Sequence, residues 1–313
     1  MTNISILKSK PLFFLAPLAG YTDLPFRSVV KKFGCDMTFS EMINANAIAF
    51  ENEKTKKMMI KSPLERPYFI QIAVNNIDNM KKAVEIINQK EEIDGIDLNL
   101  GCPVNKARRS GYGGVLLKDE NKEFLREIVR TLVEISKKPV SVKMRLGFDE
   151  IVAVDRAKMF EDLGVSFLTI HGRTVKQMYK GNANYDEIKK VVENVNIPVI
   201  ANGDITDYKK AKEVLEFTGA SGVSIGRGAV GKPWIFLEMK QKGEITLNQK
   251  KEVILEHFNQ MINWYGDYGV ILFRKHAHAY SKGIKNASEF RSKINKTEDK
   301  NEVINLIEEY FLK

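Results

Sequence analysis

From Pro11 to about Arg227 the chain alternates short apolar, β-rich runs with stretches whose apolar residues recur every three or four positions. The runs are Leu12–Ala16, Met37–Ser40, Pro67–Ile72, Gly95–Leu98, Val140–Met144, Phe167–Ile170, Pro198–Ala201 and Gly222–Ile225. Between them, Asp78–Gln89, Lys122–Ile135 and Ile151–Asp162 carry the helical repeat, and Gly164 and Gly219 sit where helices should stop. Strands that are apolar throughout belong to a parallel sheet covered on its faces by crossover helices. Eight such units over this length predict a closed (β/α)8 TIM barrel rather than an open doubly wound sheet.

Beyond Gly243 the β signal stops. Leu247–Tyr268, Val270–Lys282 and Glu302–Leu312 have helical spacing, with Trp264, Tyr265, Tyr268, Phe273, Tyr280 and Phe290 set among lysines and arginines. The expected division is a barrel over residues 1–243 and a small all-helical domain over 244–313. Packing of the aromatics inward as a cap accounts for most of them, but not for the basic faces beside them. The net charge of +9 favours polyanionic partners. The polar start, Met1–Lys10, and the short, proline-broken run Leu12–Leu18 suit neither a signal core nor a membrane span, so the expectation is a cytoplasmic chain.

Barrel enzymes place their chemistry at the C-terminal ends of the strands, and unusual residues stand there at nearly every strand. Leu98-Asn99-Leu100-Gly101-Cys102-Pro103 puts a thiol on a tight turn at a strand mouth. With only Cys35 and Cys102 in the chain, a disulfide framework is not expected. Ala16-Pro17-Leu18-Ala19-Gly20 is small enough for a flat ligand to approach the backbone, although it also reads as an ordinary turn. The second strand ends at Glu41. Gln71 is an amide inside an apolar strand and needs partners.

In the next strand but one, Ser141, Lys143 and Arg145 share the face opposite Val140, Val142 and Met144. Two cations at a barrel mouth call for an anion or electron-rich ligand, or for an ion pair with Asp97 or Glu41; convergence with other polar groups favours the ligand. His171, Asn202-Gly203-Asp204 and Gly226-Arg227-Gly228 close the ring. Glycines after the seventh and eighth strands, with a following helix, form the usual phosphate site of this fold. Together these residues describe a mononucleotide-like cofactor whose ring lies over the mouth. A metal is not expected: His276 and His278, two apart on a helix, face different ways, and no CxxC or HExxH pattern occurs.

The chain resembles the tRNA-dihydrouridine synthases, flavin enzymes with a barrel and a helical C-terminal domain. The motifs are APLAGYTDLPFR (16–27), SEM (40–42), QIA (71–73), LNLGCPVNK (98–106), VKMRLG (142–147), TIHGRT (169–174), IPVIANGDI (197–205) and IGRGAVGKPWIF (225–236), in order across the barrel. FRKHAHAYSKG (273–283) is similar to the bacterial B-type branch. The resemblance implies FMN as cofactor and NADPH as electron source, with Pro17, Leu18, Ala19, Gln71, Lys143, His171, Asn202, Gly203, Asp204, Gly226 and Arg227 touching FMN. It implies hydride transfer to carbon six of uracil, with Cys102 as the general acid protonating carbon five from the opposite face. Lys143 is expected to stabilise the reduced flavin, and Asn99 and Arg145 to bond the uracil edge. A uridine must leave the RNA stack to reach a barrel mouth, so tRNA is the expected partner of a monomeric enzyme. Arg274, Lys275 and Arg291 are expected to meet its phosphates. Two departures from the family pattern are Leu18 for methionine and the bulk of Tyr112, which is expected to shape the substrate mouth.

Rival readings are an FMN-dependent dehydrogenase of a small pyrimidine such as dihydroorotate, a barrel lyase using Lys143 as a Schiff base, and a non-catalytic RNA-binding protein. The first leaves the basic helical domain unexplained, a bound flavin would dispose of the second, and the intact set at the strand mouths argues against the third.

Overall fold

The computed structural model describes Leu7 and residues 11–311. Apart from Leu7, the polar start Met1–Lys10 lies outside the described residues, as does Leu312 at the end of the last expected helix. The strands are β1 (Leu12–Leu15), β2 (Thr38–Phe39), β3 (Ile43–Asn44), β4 (Tyr68–Ala73), β5 (Gly95–Leu100), β6 (Val140–Arg145), β7 (Phe167–His171), β8 (Val199–Asn202) and β9 (Gly222–Ile225). They pair in parallel in the order β1-β9-β8-β7-β6-β5-β4-β2, with β3 also on β4. The two ends of the sheet meet through a Phe14–Met37 bridge, where Leu15 N–H donates to the Met37 carbonyl at 3.1 Å. The result is a (β/α)8 barrel with one thin seam. β2 and β3 are a single wall strand interrupted around Glu41, whose carboxylate accepts the Gly20 N–H instead of extending the ladder.

The helices over the barrel are α1 (Leu24–Lys32), α2 (Ala45–Ala49), α3 (Glu53–Met58), α4 (Ile77–Asn88), α5 (Asn105–Arg109), α6 (Lys122–Ile135), α7 (Ala153–Asp162), α8 (Tyr185–Asn194), α9 (Tyr208–Thr218) and α10 (Ile235–Met239). Asp23 caps α1, Asn76 caps α4 and Asp207 caps α9, each side chain accepting a first-turn N–H. The odd-even alternation of the strands splits their residues cleanly. Val140, Val142 and Met144 pack outward in the large core under the helices, whereas Ser141, Lys143 and Arg145 point into the barrel. Phe14, Phe39, Phe69 and Phe167 plug the barrel floor, with ring centroids 5.7–6.1 Å apart around the circuit. Gly95 makes room for that plug: a Cβ there would fall 2.2 Å from the Phe69 ring. The inward residues above the phenylalanines are polar, so the upper barrel is built to hold something other than a hydrocarbon core.

The C-terminal helices are α11 (Leu247–Tyr265), α12 (Tyr268–Tyr280), α13 (Ala287–Lys296) and α14 (Lys300–Tyr310). α11 stops three residues before the expected end at Tyr268. Gly266 takes φ +63° there, and Gly269 lets α12 fold back so closely that a Cβ on it would lie 2.5 Å from the Met261 carbonyl. Phe258, Phe273, Tyr280, Phe290 and Ile307 form the bundle core, while Tyr268 is exposed and Trp264 and Tyr265 are half-buried. Among the described residues no helix is long and apolar enough to cross a membrane.

Candidate active site

A cleft of about 1010 Å³ opens over the C-terminal ends of the barrel strands and is roofed on one side by α12 and α13. Pro17, Leu18, Ala19, Gln71, Asn99, Cys102, Lys143, Arg145, His171, Asn202, Gly203, Asp204, Gly226 and Arg227 all line it. Its size is at the upper end for sites that enclose small ligands and cofactors.

One wall is a hydrogen-bond relay that begins inside the barrel and ends at the thiol. Ser141 Oγ and Gln71 Nε2 donate to the two oxygens of buried Asp97, at 2.6 and 2.7 Å. Gln71 Oε1 accepts from Asn99 Nδ2 at 2.8 Å, and Asn99 Oδ1 accepts the backbone N–H groups of Gly101 (3.1 Å) and Cys102 (3.0 Å). Because Asp97 only accepts when ionised, it dictates which way both amides face. Burial pushes the Asp97 carboxyl up to about 6, against the pull of the Ser141 and Gln71 hydrogen bonds and of Lys143. The buried amide of Gln71 thus finds its partners within the protein, and the Asn99 carbonyl oxygen holds the Cys102 turn. The thiol itself is partly exposed in the cleft and unbridged.

The cations occupy the next strand. Half-buried Lys143 donates to Asn202 Oδ1 at 3.2 Å and makes no ion pair with Asp97 or Glu41 among the described residues. Burial first, and Arg145 second, lower its ammonium to about 8. Arg145 is nearly buried, and its guanidinium reaches the carbonyls of Gly101 (3.0 Å), Thr174 (2.8 Å) and Met178 (2.7 Å). It thereby ties the cysteine turn to the loop after β7. His171 is held neutral: burial, then Lys143 and three arginines, push it down to about 2. Its Nδ1 and the Ser224 hydroxyl, on residues that line the cleft, have no hydrogen-bond partner among the described residues.

Opposite the relay, the turns after β8 and β9 form an anion locus. Buried Arg173 forks onto Asp204 at 2.9 and 2.7 Å, and Asp204 also accepts the Ala183 N–H. Although burial opposes it, Arg173 holds the Asp204 carboxyl below its ordinary range. With its side chain so engaged, Asp204 offers a ligand its backbone N–H rather than its carboxylate. The N–H groups of Gly203, Asp204, Gly226 and Arg227 have no protein acceptor among the described residues. A helix follows each turn, α9 from Tyr208 and α10 from Ile235, but neither begins at the glycines themselves. The chain turns tightly instead, because Gly228 presses on the Ile205 carbonyl, where a Cβ would lie 2.4 Å away.

The family model described as "Dihydrouridine synthase (Dus)" matches residues 14–313. The chain belongs to the dihydrouridine synthase family. It is 45% identical over 307 residues to a "Probable tRNA-dihydrouridine synthase" of Helicobacter pylori (strain ATCC 700392 / 26695), covering 97% of this chain and 93% of that protein. It is 38% identical over 321 residues to "tRNA-dihydrouridine synthase B" of Pasteurella multocida (strain Pm70), covering 99% and 95%. Among solved structures, an old yellow enzyme homologue from Zymomonas mobilis shares the fold, with TM-score 0.56 at 14% identity over 75% of this chain and 89% of that one.

In this member of the family the helical region supplies the cleft's rim. Lys275, His278 and Lys282 of α12 and the turn after it, with Arg291 of α13, line the opening. Arg274 does not: it turns away to the Thr297 carbonyl at 2.9 Å, one helical position from Lys275 and on a different face. Tyr112 is likewise outside the mouth, packed with Ala73 and Ala107 beneath Cys102, where its bulk supports the turn. Sequence reasoning gave no role to Arg173, although it stands in the HGRT run, and passed over Tyr179. That half-exposed ring lies 4.4 Å from the Arg227 guanidinium and 5.5 Å from that of Arg145. For Arg173 the HGRT run was itself the signal; Tyr179 has none and depends on a loop that meets the site only in the fold.

Proposed function

We propose that this chain reduces a uridine of tRNA to 5,6-dihydrouridine, using FMN as the bound cofactor and NADPH as its reductant. The observation that carries the reading is the single cleft in which a pinned thiol and a half-buried ammonium, on neighbouring strands, face an anion locus made of backbone N–H groups with no acceptor among the described residues. The residues fit FMN: Gly203, Asp204, Gly226 and Arg227 suit its phosphate, while Lys143, Gln71 and the unpartnered His171 and Ser224 suit its ring and ribityl chain. Pro17, Leu18 and Ala19 provide a flat wall. FMN, when bound and reduced, supplies the hydride for carbon six of the uracil. Cys102 holds the proton at Sγ and delivers it to carbon five, so that hydride and proton together saturate the double bond. Lys143 keeps positive charge beside the ring, and Arg145 and Asn99 hold the turn that aims the thiol.

The barrel, residues 1–243, is the FMN-binding domain in this reading, and residues 244–313 dock the RNA. A flipped uridine enters between the Cys102 turn and the basic rim of α12 and α13. That rim favours a polyanionic substrate over a free pyrimidine. The test is anaerobic reoxidation of the reduced protein by unmodified tRNA, compared with free uridine and orotate. Rapid reoxidation by tRNA alone, with dihydrouridine appearing in the RNA, is the expected result; reoxidation by the small pyrimidines alone would refute it.

A further inference from the structure

Away from the cleft, at the junction of the barrel with the helical bundle, Asp23, His257 and His276 come together. Their candidate donor atoms all lie within 4.8 Å of one another, and all three residues are buried. Asp23 sits at the start of α1, His257 in α11 and His276 in α12, so each of three helices contributes one donor. Both ring nitrogens of His276 and Nε2 of His257 are buried without a hydrogen-bond partner among the described residues. Such atoms each cost about 1–3 kcal/mol unless something satisfies them. Phe26 and Tyr21 flank His276 at 5.5 Å, and Phe26 and Phe273 flank His257 at 5.4 Å, so the polar groups these nitrogens face are those of the cluster itself: Asp23 and the other imidazole, 4.5 Å away between ring centroids.

We propose that Asp23, His257 and His276 bind a divalent transition-metal ion of the zinc class. Two imidazole nitrogens and one carboxylate oxygen are a borderline donor set that suits zinc, with water in the fourth position. Two of the three ligands have the outer partner that metal ligands usually have: Tyr280 OH lies 3.0 Å from His257 Nδ1, leaving Nε2 for the ion, and Tyr265 OH donates to Asp23 Oδ2 at 3.1 Å. The ion draws the donors inward to the spacing that bonds of about 2.0–2.1 Å impose. It clamps the first barrel loop, which carries Tyr21 into the cleft, to the helix that carries Lys275 there.

The experiment uses the full chain, stripped with chelator and titrated with zinc and with cobalt. Wild type and Cys102→Ala should each take up one equivalent, give tetrahedral cobalt bands without a sulfur charge-transfer band, and melt at higher temperature with metal. His276→Gln and Asp23→Asn should lose that equivalent. Asn retains the helix cap that Asp23 provides, so Asp23→Asn decides the matter even where His276→Gln does not fold. Failure of the wild type to take up zinc, uptake unchanged in Asp23→Asn, or a sulfur charge-transfer band lost in Cys102→Ala would each overturn the site. None of these readouts depends on tRNA reduction.

Discussion

The side-chain oxygen of Asn99 accepts the backbone N–H of Cys102 at 3.0 Å, so the position of the thiol is set by an amide three residues before it. That amide is oriented by Gln71, and Gln71 by Asp97. The barrel interior therefore reaches the thiol through hydrogen bonds whose direction is imposed from below.

Cys102→Ala should still bind and reduce FMN but lose tRNA turnover by about 10²–10⁴-fold, the usual contribution of a general acid. Single-turnover reduction of unmodified tRNA by the reduced variant measures this directly. Full turnover would remove the thiol from the proton step.

Asp97→Leu is close in size, yet it removes the acceptor that Gln71 Nε2 and Ser141 Oγ share. Nothing would then impose the orientation of Gln71, or through it that of Asn99 and the Cys102 turn. The expected result is a loss of about 1–3 kcal/mol of stability from the unpaired groups, with turnover reduced more than tRNA affinity. Urea melts and a binding assay on the same sample separate the two effects.

The lowered ammonium of Lys143, about 8 against an ordinary 10.5, gives a pH signature. Its charge is present below that value and fades above it, so turnover should fall on the alkaline side of pH 8. Lys143→Arg should remove the lysine's share of that alkaline limb while keeping positive charge, leaving whatever the thiol's own loss of a proton contributes. The sign for stability is opposite: between about 8 and 10.5 the unfolded chain still holds a proton the folded chain has released, so this group makes the fold more stable as pH rises. A pH-rate profile of the variant, with melts across the same range, checks both halves.

Lys275→Ala and Arg291→Ala should each weaken tRNA binding and reduce the slope of log affinity against log salt by about 1. Arg274→Ala should leave that slope alone and lower the melting temperature, since its guanidinium braces the end of α13. Filter binding at several salt concentrations distinguishes the neighbours.

The barrel was legible because its strands are apolar throughout and its mouth residues break that pattern at regular places; the observed strand bounds depart from the reading by a residue or two at most ends. Lys143 and Arg145 could be placed in the barrel from the period of two alone. Roles within the cleft were harder to read. Asn99 and Gln71 look like ligand contacts in a linear text, but bonding each other and Asp97 is a property of strands brought side by side. The same holds for Arg274, where a single helical step turns a phosphate contact into a brace. Asp23, His257 and His276 could not be seen as a group at all, since no metal spacing links residues from opposite ends of a chain.

Trp234 lies in the segment after the last barrel strand, yet its indole is buried in the core of the helical bundle, stacked on Tyr280. Three positions earlier, Gly231 rests so closely on α12 that a Cβ would come within 2.6 Å of the Ala279 carbonyl. A chimera that exchanged the C-terminal region at Gly243 would thus leave the bundle's keystone behind in the host. The transplantable unit begins upstream of Val230, and swaps meant to redirect RNA choice should carry that seam across intact.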